Sequence, residues 1–299
     1  MTAEPIKLQI EDVYKSYGEK RVLDNIDLKV NAGELCTVVG PSGCGKSTLL
    51  RLLLGQESAD SGNILIDGNP VSHPDPVRGI VYQKYSLFPH LTVFDNVMLG
   101  LRFGSAPWWL PWRDNPEHKQ FAMQILEKLR LTDARNKYPH ELSGGMQQRV
   151  AIAQALVKRP PILLMDEPFG ALDPDTREQM QLYLMELHEE FGLTIFFVTH
   201  DLEEACYIGT RLLMVSQYYS DDRGHEKDVK RGAKIVADHL LQRQPLSTTS
   251  KNSHEFREFI AELRQTGFNP LNKQHVKEFN LRHPQSFQTL TAEEHSQNR

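Results

Sequence analysis

The most constraining feature of this 299-residue chain is an eight-residue segment, Gly40-Pro41-Ser42-Gly43-Cys44-Gly45-Lys46-Ser47. It matches the pattern G-x-x-x-x-G-K-[ST]. An apolar run over Leu35–Val39 precedes it and predicts a buried strand, and a helical pattern from Lys46 to about Leu54 follows it. A glycine-rich turn at a helix N-terminus points backbone N–H groups and partial positive charge at a phosphate. The segment therefore predicts a nucleoside triphosphate site.

Each residue type in this loop has a predicted task. Lys46 reaches the β- and γ-phosphate oxygens, the Ser47 hydroxyl ligates Mg²⁺, and Thr48 continues the site into the helix. Cys44 stands at a variable position, and no His base is paired with it, so a catalytic thiol is not expected. The spacing differs from G-x-G-x-x-G and excludes a Rossmann dinucleotide site. The alternative is a glycine-rich turn with a chance lysine, which the flanking strand and helix disfavour.

The composition predicts a folded chain that does not cross a membrane by itself. It is 39% hydrophobic and 24% charged, and no apolar run reaches the roughly 18 residues of a membrane span. The N-terminus lacks the basic and apolar regions of a secretory signal. Cys36, Cys44 and Cys206 are widely spaced and odd in number, which predicts no disulfide framework and a reducing, cytoplasmic setting. A net charge of −5 argues against nucleic acid as a partner.

Short apolar runs alternate with helical patterns, which predicts an α/β fold. Runs at 162–165 and 194–198 suit a mostly parallel sheet with helices on both faces. Asp173-Pro174 predicts the start of a helix through about Phe191, and Ser143 begins another that ends before Pro160. Residues 1–30 and 62–68 predict a small antiparallel β layer.

A carboxylate pair follows the predicted strand at 162–165. An Asp at the end of a buried strand, here Asp166, can hold Mg²⁺, and Glu167 next to it is placed to position or deprotonate an attacking water. The alternative is an ordinary strand-terminal turn, which the accompanying phosphate loop makes the weaker interpretation.

A third segment, Leu142-Ser143-Gly144-Gly145-Met146-Gln147-Gln148-Arg149, resembles the LSGGQ signature of ABC transporter ATP-binding subunits, with Met146 as a departure. A serine and two glycines at a helix N-terminus form a pocket for an anion. The resemblance implies that Ser143, Gly144 and Gly145 contact the γ-phosphate of ATP held by an opposite subunit. Two nucleotides would then lie between two subunits.

Four weaker features follow the family's order along the chain. Tyr17 resembles the adenine-stacking aromatic, and Gln83 resembles the glutamine that touches Mg²⁺ and relays to the membrane partner. Ala171-Leu172-Asp173 resembles the D-loop, and His200 resembles the switch histidine at the γ-phosphate. Alone, an exposed tyrosine or a histidine after a strand is more often a packing or hydrogen-bonded residue.

The resemblance covers about residues 4–215. It implies a P-loop NTPase core over 1–215, which carries a net charge of −7, with an inserted helical subdomain at about 84–160. Residues 216–299, at net +2, are predicted to form a C-terminal extension with a strand at 234–240 and a helix at 255–265. Whether residues beyond about 270 are ordered is left open. The extension weakly resembles the nitrate/sulfonate/taurine branch of importers.

All three tryptophans lie within five residues, as Trp108, Trp109 and Trp112, in a proline-containing stretch of the helical subdomain. One interpretation is an inserted loop that folds its aromatics over the subdomain. The other is a contact with a permease or membrane surface, where tryptophan is favoured.

The resemblance implies the ATP-hydrolysing subunit of an importer for a small solute, which its branch predicts to be anionic. It also implies ATP and Mg²⁺ as cofactors and Glu167, His200 and Gln83 as catalytic residues. It further implies a second ATP-binding subunit in a homodimer, a membrane permease and, indirectly, a solute-binding protein. The subunit is then peripheral on the cytoplasmic face of the membrane. Three alternatives stay open: another importer branch or an exporter, a soluble ABC ATPase acting on DNA or ribosomes, and a non-hydrolysing nucleotide binder.

Overall fold

The computed structural model describes residues 5–75, 78–84, 86–105, 116–224, 229, 231–241, 254–291 and 294. The chain divides into two compact units. The first is Met1–Pro74 with Leu184–Arg299, and the second is Asp75–Tyr183. This division differs from the predicted boundary at residue 215, because the extension shares a sheet with the first unit. The second unit is also wider than the predicted helical subdomain at 84–160, because it includes two strands.

The first unit contains an antiparallel sheet with the order β2-β1-β4-β5. Its strands are β1 (Ile6–Tyr17), β2 (Lys20–Asn31), β4 (Ser61–Ile66) and β5 (Asn69–Pro70). Gly18 has a φ of 57°, and this left-handed conformation allows the tight turn that joins β1 to β2. The predicted antiparallel layer is therefore confirmed.

A second sheet of the first unit surrounds β3 (Leu35–Val39), all five residues of which are buried. Within this unit the strand order is β13-β11-β9-β3-β8. The other strands are β8 (Ile195–Val198), β9 (Arg211–Ser216), β11 (Lys234–Leu240) and β13 (Asn280–Leu281). β3 is parallel to β8 and β9, whereas β11 is antiparallel to β9. The sheet is mixed because the extension adds its strand in the opposite direction.

The α-helices that lie wholly within the first unit, among the residues that the structure describes, are α1 (Lys46–Leu54), α6 (Leu202–Ile208) and α7 (His254–Gly267). α6 packs against β3, and α7 packs against β9 and β11. The predicted strand at 234–240 and helix at 255–265 are both present. The described residues after 270 add β12 (Gln274–His275), which pairs with β10 (Tyr219–Ser220), and β13. This part of the extension is ordered.

The second unit consists of two parallel strands and a group of helices. The strands are β6 (Gly79–Tyr82) and β7 (Leu163–Asp166), and the helices are α2 (Val93–Ser105), α3 (Pro116–Lys128), α4 (Gly144–Leu156) and the larger part of α5 (Pro174–Phe191). α4 packs against α2 and α3. A Cβ at Gly100 would lie 2.4 Å from the Gln154 carbonyl oxygen, so α2 and α4 meet closely at a glycine. Trp108, Trp109 and Trp112 lie outside the described residues.

None of the helices among the described residues combines the length and apolar character that a membrane span requires.

Candidate nucleotide-binding site

The glycine-rich loop leaves β3 at Gly40 and enters α1 at Lys46. A Cβ at Gly40 would lie 2.0 Å from the Val215 carbonyl oxygen, so a side chain has no room there. Gly43 and Gly45 have φ values of 78° and 95°, a region that favours glycine. A Cβ at Gly45 would also lie within 2.9 Å of side-chain carbons of Val22 and Leu23. The sequence therefore folds this turn by backbone conformation and by close packing on β2.

The Lys46 side chain is turned into the loop. It is 7% exposed, and its Nζ donates hydrogen bonds to the carbonyl oxygens of Gly40 at 2.7 Å and Pro41 at 3.1 Å. These acceptors are neutral carbonyl oxygens, and phosphate oxygens, which carry negative charge, are stronger acceptors for the same ammonium group. The ammonium group that is predicted to donate hydrogen bonds to phosphate oxygens therefore already lies inside the turn. This position is consistent with a triphosphate site.

Other loop residues differ in accessibility. Ser42, Gly43 and Ser47 are exposed, whereas Cys44 and Thr48 are buried. Burial raises the pKa of the Cys44 thiol above its ordinary value, against an opposing effect of Lys46. A protonated, buried thiol is a poor nucleophile, in agreement with the expectation that Cys44 is not catalytic.

His200 follows the carboxyl end of β8, as the glycine-rich loop follows the carboxyl end of β3. Strand register pairs Val38 with Val198, so Gly40 and His200 each follow a paired residue by two positions. The backbone N–H of Thr199 donates to the Val38 carbonyl at 3.1 Å, which continues this pairing to the residue before His200. His200 itself is exposed. Because the strands are parallel, their carboxyl ends bring the loop and the histidine to one edge.

Tyr17 ends β1 with 42% of its surface exposed. Its hydroxyl donates to a carboxylate oxygen of Glu57, and the Lys15 ammonium lies 5.4 Å from the ring centroid. The ring is therefore accessible, and its hydroxyl end is held by a neighbour.

In the second unit, Gln83 and the carboxylate pair lie at the carboxyl ends of two paired parallel strands. Register pairs Tyr82 with Asp166, so Gln83 and Glu167 are the next residues of two parallel strands. Glu167 has a φ of 46°, which is strained for a residue other than glycine. The Gln83 Nε2 atom lies 2.9 Å from where a Cβ of Gly170 would be. The structure thus places Gln83, Asp166 and Glu167 together with the segment that leads into the D-loop.

The signature segment begins α4 as predicted. Ser143 is the N-cap, and its Oγ accepts a hydrogen bond from the Met146 N–H at 3.3 Å. Ser143 and Gly144 are exposed, whereas a Cβ at Gly145 would lie 2.6 Å from the Thr176 methyl group. Gly145 therefore allows close packing on α5, and the two residues before it present an open helix N-terminus.

The D-loop is held by the first turn of α5. Asp173 Oδ1 accepts from the Thr176 N–H at 3.0 Å, and this hydrogen bond lowers the pKa of the Asp173 carboxyl. Arg177 donates to the carbonyl oxygens of Phe169 at 3.3 Å and Leu172 at 3.1 Å. The sequence analysis did not identify Arg177. The available signal was its position one turn after the predicted N-cap Asp173, where a long side chain can reach the carbonyl groups of the preceding loop.

Within the described residues, no group of three or more His, Cys, Asp or Glu side chains could hold a metal ion. Mg²⁺ at a nucleotide site commonly takes one or two protein ligands and completes its shell with phosphate oxygens and water. Ser47 in the first unit, and Asp166 and Gln83 in the second, each carry a side-chain oxygen of the kind that Mg²⁺ prefers.

Comparison with known proteins adds the family. The model of the ABC transporter family matches residues 23–170. The spermidine/putrescine import ATP-binding protein PotA of Pasteurella multocida is 42% identical over 225 residues, 74% of this chain and 59% of that protein. The sulfate/thiosulfate import ATP-binding protein CysA of Pectobacterium atrosepticum is 41% identical over 230 residues, 75% of this chain and 68% of that protein. The chain thus spans just under three-fifths of the Pasteurella relative.

Solved structures agree on the fold. The dimeric structure of MJ0796, a bacterial ABC transporter cassette, has a TM-score of 0.61 at 33% identity and covers 79% of this chain and all of that one. The ADP conformation of MJ1267, an ATP-binding cassette of an ABC transporter, has a TM-score of 0.66 at 25% identity, with coverage of 86% and 98%. The predicted P-loop NTPase fold is therefore confirmed.

Proposed function

Because this chain belongs to the ABC transporter family, we propose that it is the ATP-hydrolysing subunit of an importer. It would couple the reaction of ATP and water to ADP and phosphate with movement of a small solute through a separate permease. The observation that carries the proposal is the signature segment, which forms an exposed helix N-terminus capped by Ser143. Such a terminus can bind the phosphates of a nucleotide held by a second subunit. A kinase or GTPase that acts as a single subunit does not require this second phosphate contact.

Each predicted site residue has a separate part in ATP binding or hydrolysis. Gly40–Thr48 and Lys46 bind and orient the triphosphate, while Glu167 takes the proton of the attacking water and His200 supports the γ-phosphate. Tyr17 stacks on the adenine. Ser47, Asp166 and Gln83 would hold Mg²⁺, which would neutralise charge at the phosphate oxygens. Ser143, Gly144 and Gly145 complete the site of the opposite subunit, so ATP closes a homodimer and hydrolysis reopens it.

We further propose that the solute is small and charged. Relatives are named for import of spermidine and putrescine, which are cations, and of sulfate and thiosulfate, which are anions. The nitrate, sulfonate and taurine branch favoured by the extension has no support in these names. The subunit would sit on the cytoplasmic face of the membrane against the permease, with the solute-binding protein acting through that permease. A permease gene and a binding-protein gene beside this one would support an importer over the exporter and soluble alternatives.

Glu167→Gln tests the catalytic assignment. The amide keeps the shape of the side chain but cannot accept a proton, so we expect ATP binding to persist, turnover to fall by at least about 100-fold and the closed dimer to accumulate. Light scattering after gel filtration with Mg-ATP measures the dimer, and phosphate release measures turnover. Glu186→Gln, an exposed residue of α5, is the matched control and keeps the wild-type rate. A normal rate in Glu167→Gln would refute the assignment of the general base.

A further inference from the structure

The turn that carries His200 is closed by one buried hydroxyl. Thr199 and Glu204 are 2% and 6% exposed, and the Thr199 Oγ1 donates to Glu204 Oε2 at 2.6 Å. The same oxygen accepts the backbone N–H of Asp201 at 3.1 Å. A threonine hydroxyl has one donor and can accept as well, so both functions are used here. The hydroxyl thus links the residue before His200 to the residue after it and to α6.

Both sides of this turn are tied to β3, the strand that leads into the glycine-rich loop. The Thr199 N–H donates to the Val38 carbonyl at 3.1 Å. The Thr37 hydroxyl lies 3.1 Å from the carbonyl oxygen of Ala205, which follows Glu204, and 3.0 Å from that of Arg211, and it can donate its proton to either. The Thr199–Glu204 pair therefore connects two anchored backbone points, with His200 as the exposed residue between them.

The start of α6 is fixed by a carboxylate as well. Asp201 Oδ1 accepts the N–H groups of Glu203 at 2.9 Å and Glu204 at 3.1 Å. This N-cap fixes the start of α6, and Glu204, at the third position of the helix, directs its Oε2 to the Thr199 hydroxyl. Burial of a carboxyl group is unfavourable unless the group is hydrogen-bonded, and an apolar side chain would pack at this position without that cost.

We propose that Thr199 and Glu204 are positioning residues for His200. Their hydrogen bond sets the backbone on both sides of the histidine and thereby places the imidazole at the strand edge beside Gly40. The inference rests on the proposed function, since placement of His200 matters only if the imidazole supports the γ-phosphate. Neither residue contacts the nucleotide in this scheme.

Thr199→Val is the direct test, because it exchanges the hydroxyl for a methyl group of similar size. In the full chain we expect kcat for ATP hydrolysis to fall by roughly 10- to 100-fold, as for a catalytic group displaced by about 1 Å, with a smaller change in KM. Thr199→Ser and Glu204→Gln keep the donor and an acceptor and should restore most of the rate. The matched control is Thr266→Val in α7, whose buried hydroxyl donates to the Glu262 carbonyl, and it should keep the wild-type kcat.

A double-mutant cycle separates positioning from a structural role. In a His200→Ala background, Thr199→Val should lower kcat no further, because no imidazole is left to position. Equal losses in both backgrounds, or a wild-type rate for the single variant, would overturn the inference. If Thr199→Val lowers the melting temperature strongly, Glu204→Met removes the acceptor from the other side and serves in the same cycle. A wild-type rate in His200→Ala would overturn the role of His200 at the γ-phosphate and the inference with it, whereas no hydrolysis by the wild type would overturn the proposed function.

Discussion

Replacing Asp238 by Asn is expected to destabilise the first unit by about 3–5 kcal/mol. Asp238 lies on β11 of the extension and Arg211 on β9, and they are 2% and 0% exposed. Arg211 Nε donates to Oδ1 at 2.8 Å and Nη2 to Oδ2 at 2.6 Å. Nη1 donates to the Lys29 carbonyl at 2.5 Å and to Glu34 at 3.1 Å. The guanidinium thus donates four hydrogen bonds, and Asp238 accepts two of them.

The size of the effect follows from these contacts. An Asn side chain keeps the shape of Asp238 but turns an amide NH2 toward a guanidinium that can only donate. One charge-assisted hydrogen bond, worth about 1.5–3 kcal/mol, is lost, and the buried Arg211 cation keeps only Glu34 of its two carboxylate partners. The matched control is Asp67→Asn, which removes the exposed Lys7–Asp67 ion pair of 2.6 Å and should change stability by less than about 1 kcal/mol.

Hydrogen exchange with mass spectrometry measures this change at its own location. A loss of about 3 kcal/mol corresponds to roughly 150-fold faster exchange for amides that exchange by opening of the sheet. Peptides over 211–216 and 234–240 should show it, and urea unfolding followed by circular dichroism should show a lower midpoint. A change below about 1 kcal/mol, or one equal to that of Asp67→Asn, would refute the reasoning that the extension is held to the core by this pair.

Two further predictions concern the loop and the acid side of the stability curve. Lys46→Ala removes the ammonium group inside the loop, so ATP affinity measured by calorimetry should fall at least about tenfold. Unchanged affinity would contradict the assignment of Lys46 as a hydrogen-bond donor to the phosphates. Burial alone would raise the pKa of Asp221, but hydrogen bonds from Arg231 and Arg223 hold it at about 2. Because the folded-state pKa lies below the ordinary 3.8, Asp221 contributes about 2 kcal/mol of stability that is present above about pH 4 and is lost as the pH falls toward 2. Asp221→Asn should therefore show a flatter stability curve between pH 4 and 2, and equal slopes would contradict the prediction.

The site residues could be predicted from sequence where their pattern is local. Gly40–Ser47, Ser143–Gly145 and Asp166–Glu167 each occupy a few consecutive positions beside a strand or a helix start, and glycine or a capping residue restricts the backbone there. The strand at 234–240 and the helix at 255–265 were predictable for the same reason, because their apolar patterns are local. The sequence did not predict the contacts of Arg177, Thr199 and Glu204. These contacts depend on which carbonyl or hydroxyl group the fold brings near each side chain.

The amino-acid sequence by itself determined the phosphate loop, the order of the motifs and the alternation of strands and helices, because these follow from short-range backbone preferences and hydrophobic patterning. Only the tertiary structure decided where the extension belongs. Arg211 and Asp238 are 27 positions apart and Asp24 and Arg223 are 199 apart, and each pair is joined by hydrogen bonds within the first unit. Such contacts depend on strand order and direction, which no local pattern records. In the first unit one sheet runs from β3 into the extension and so crosses the boundary predicted at residue 215.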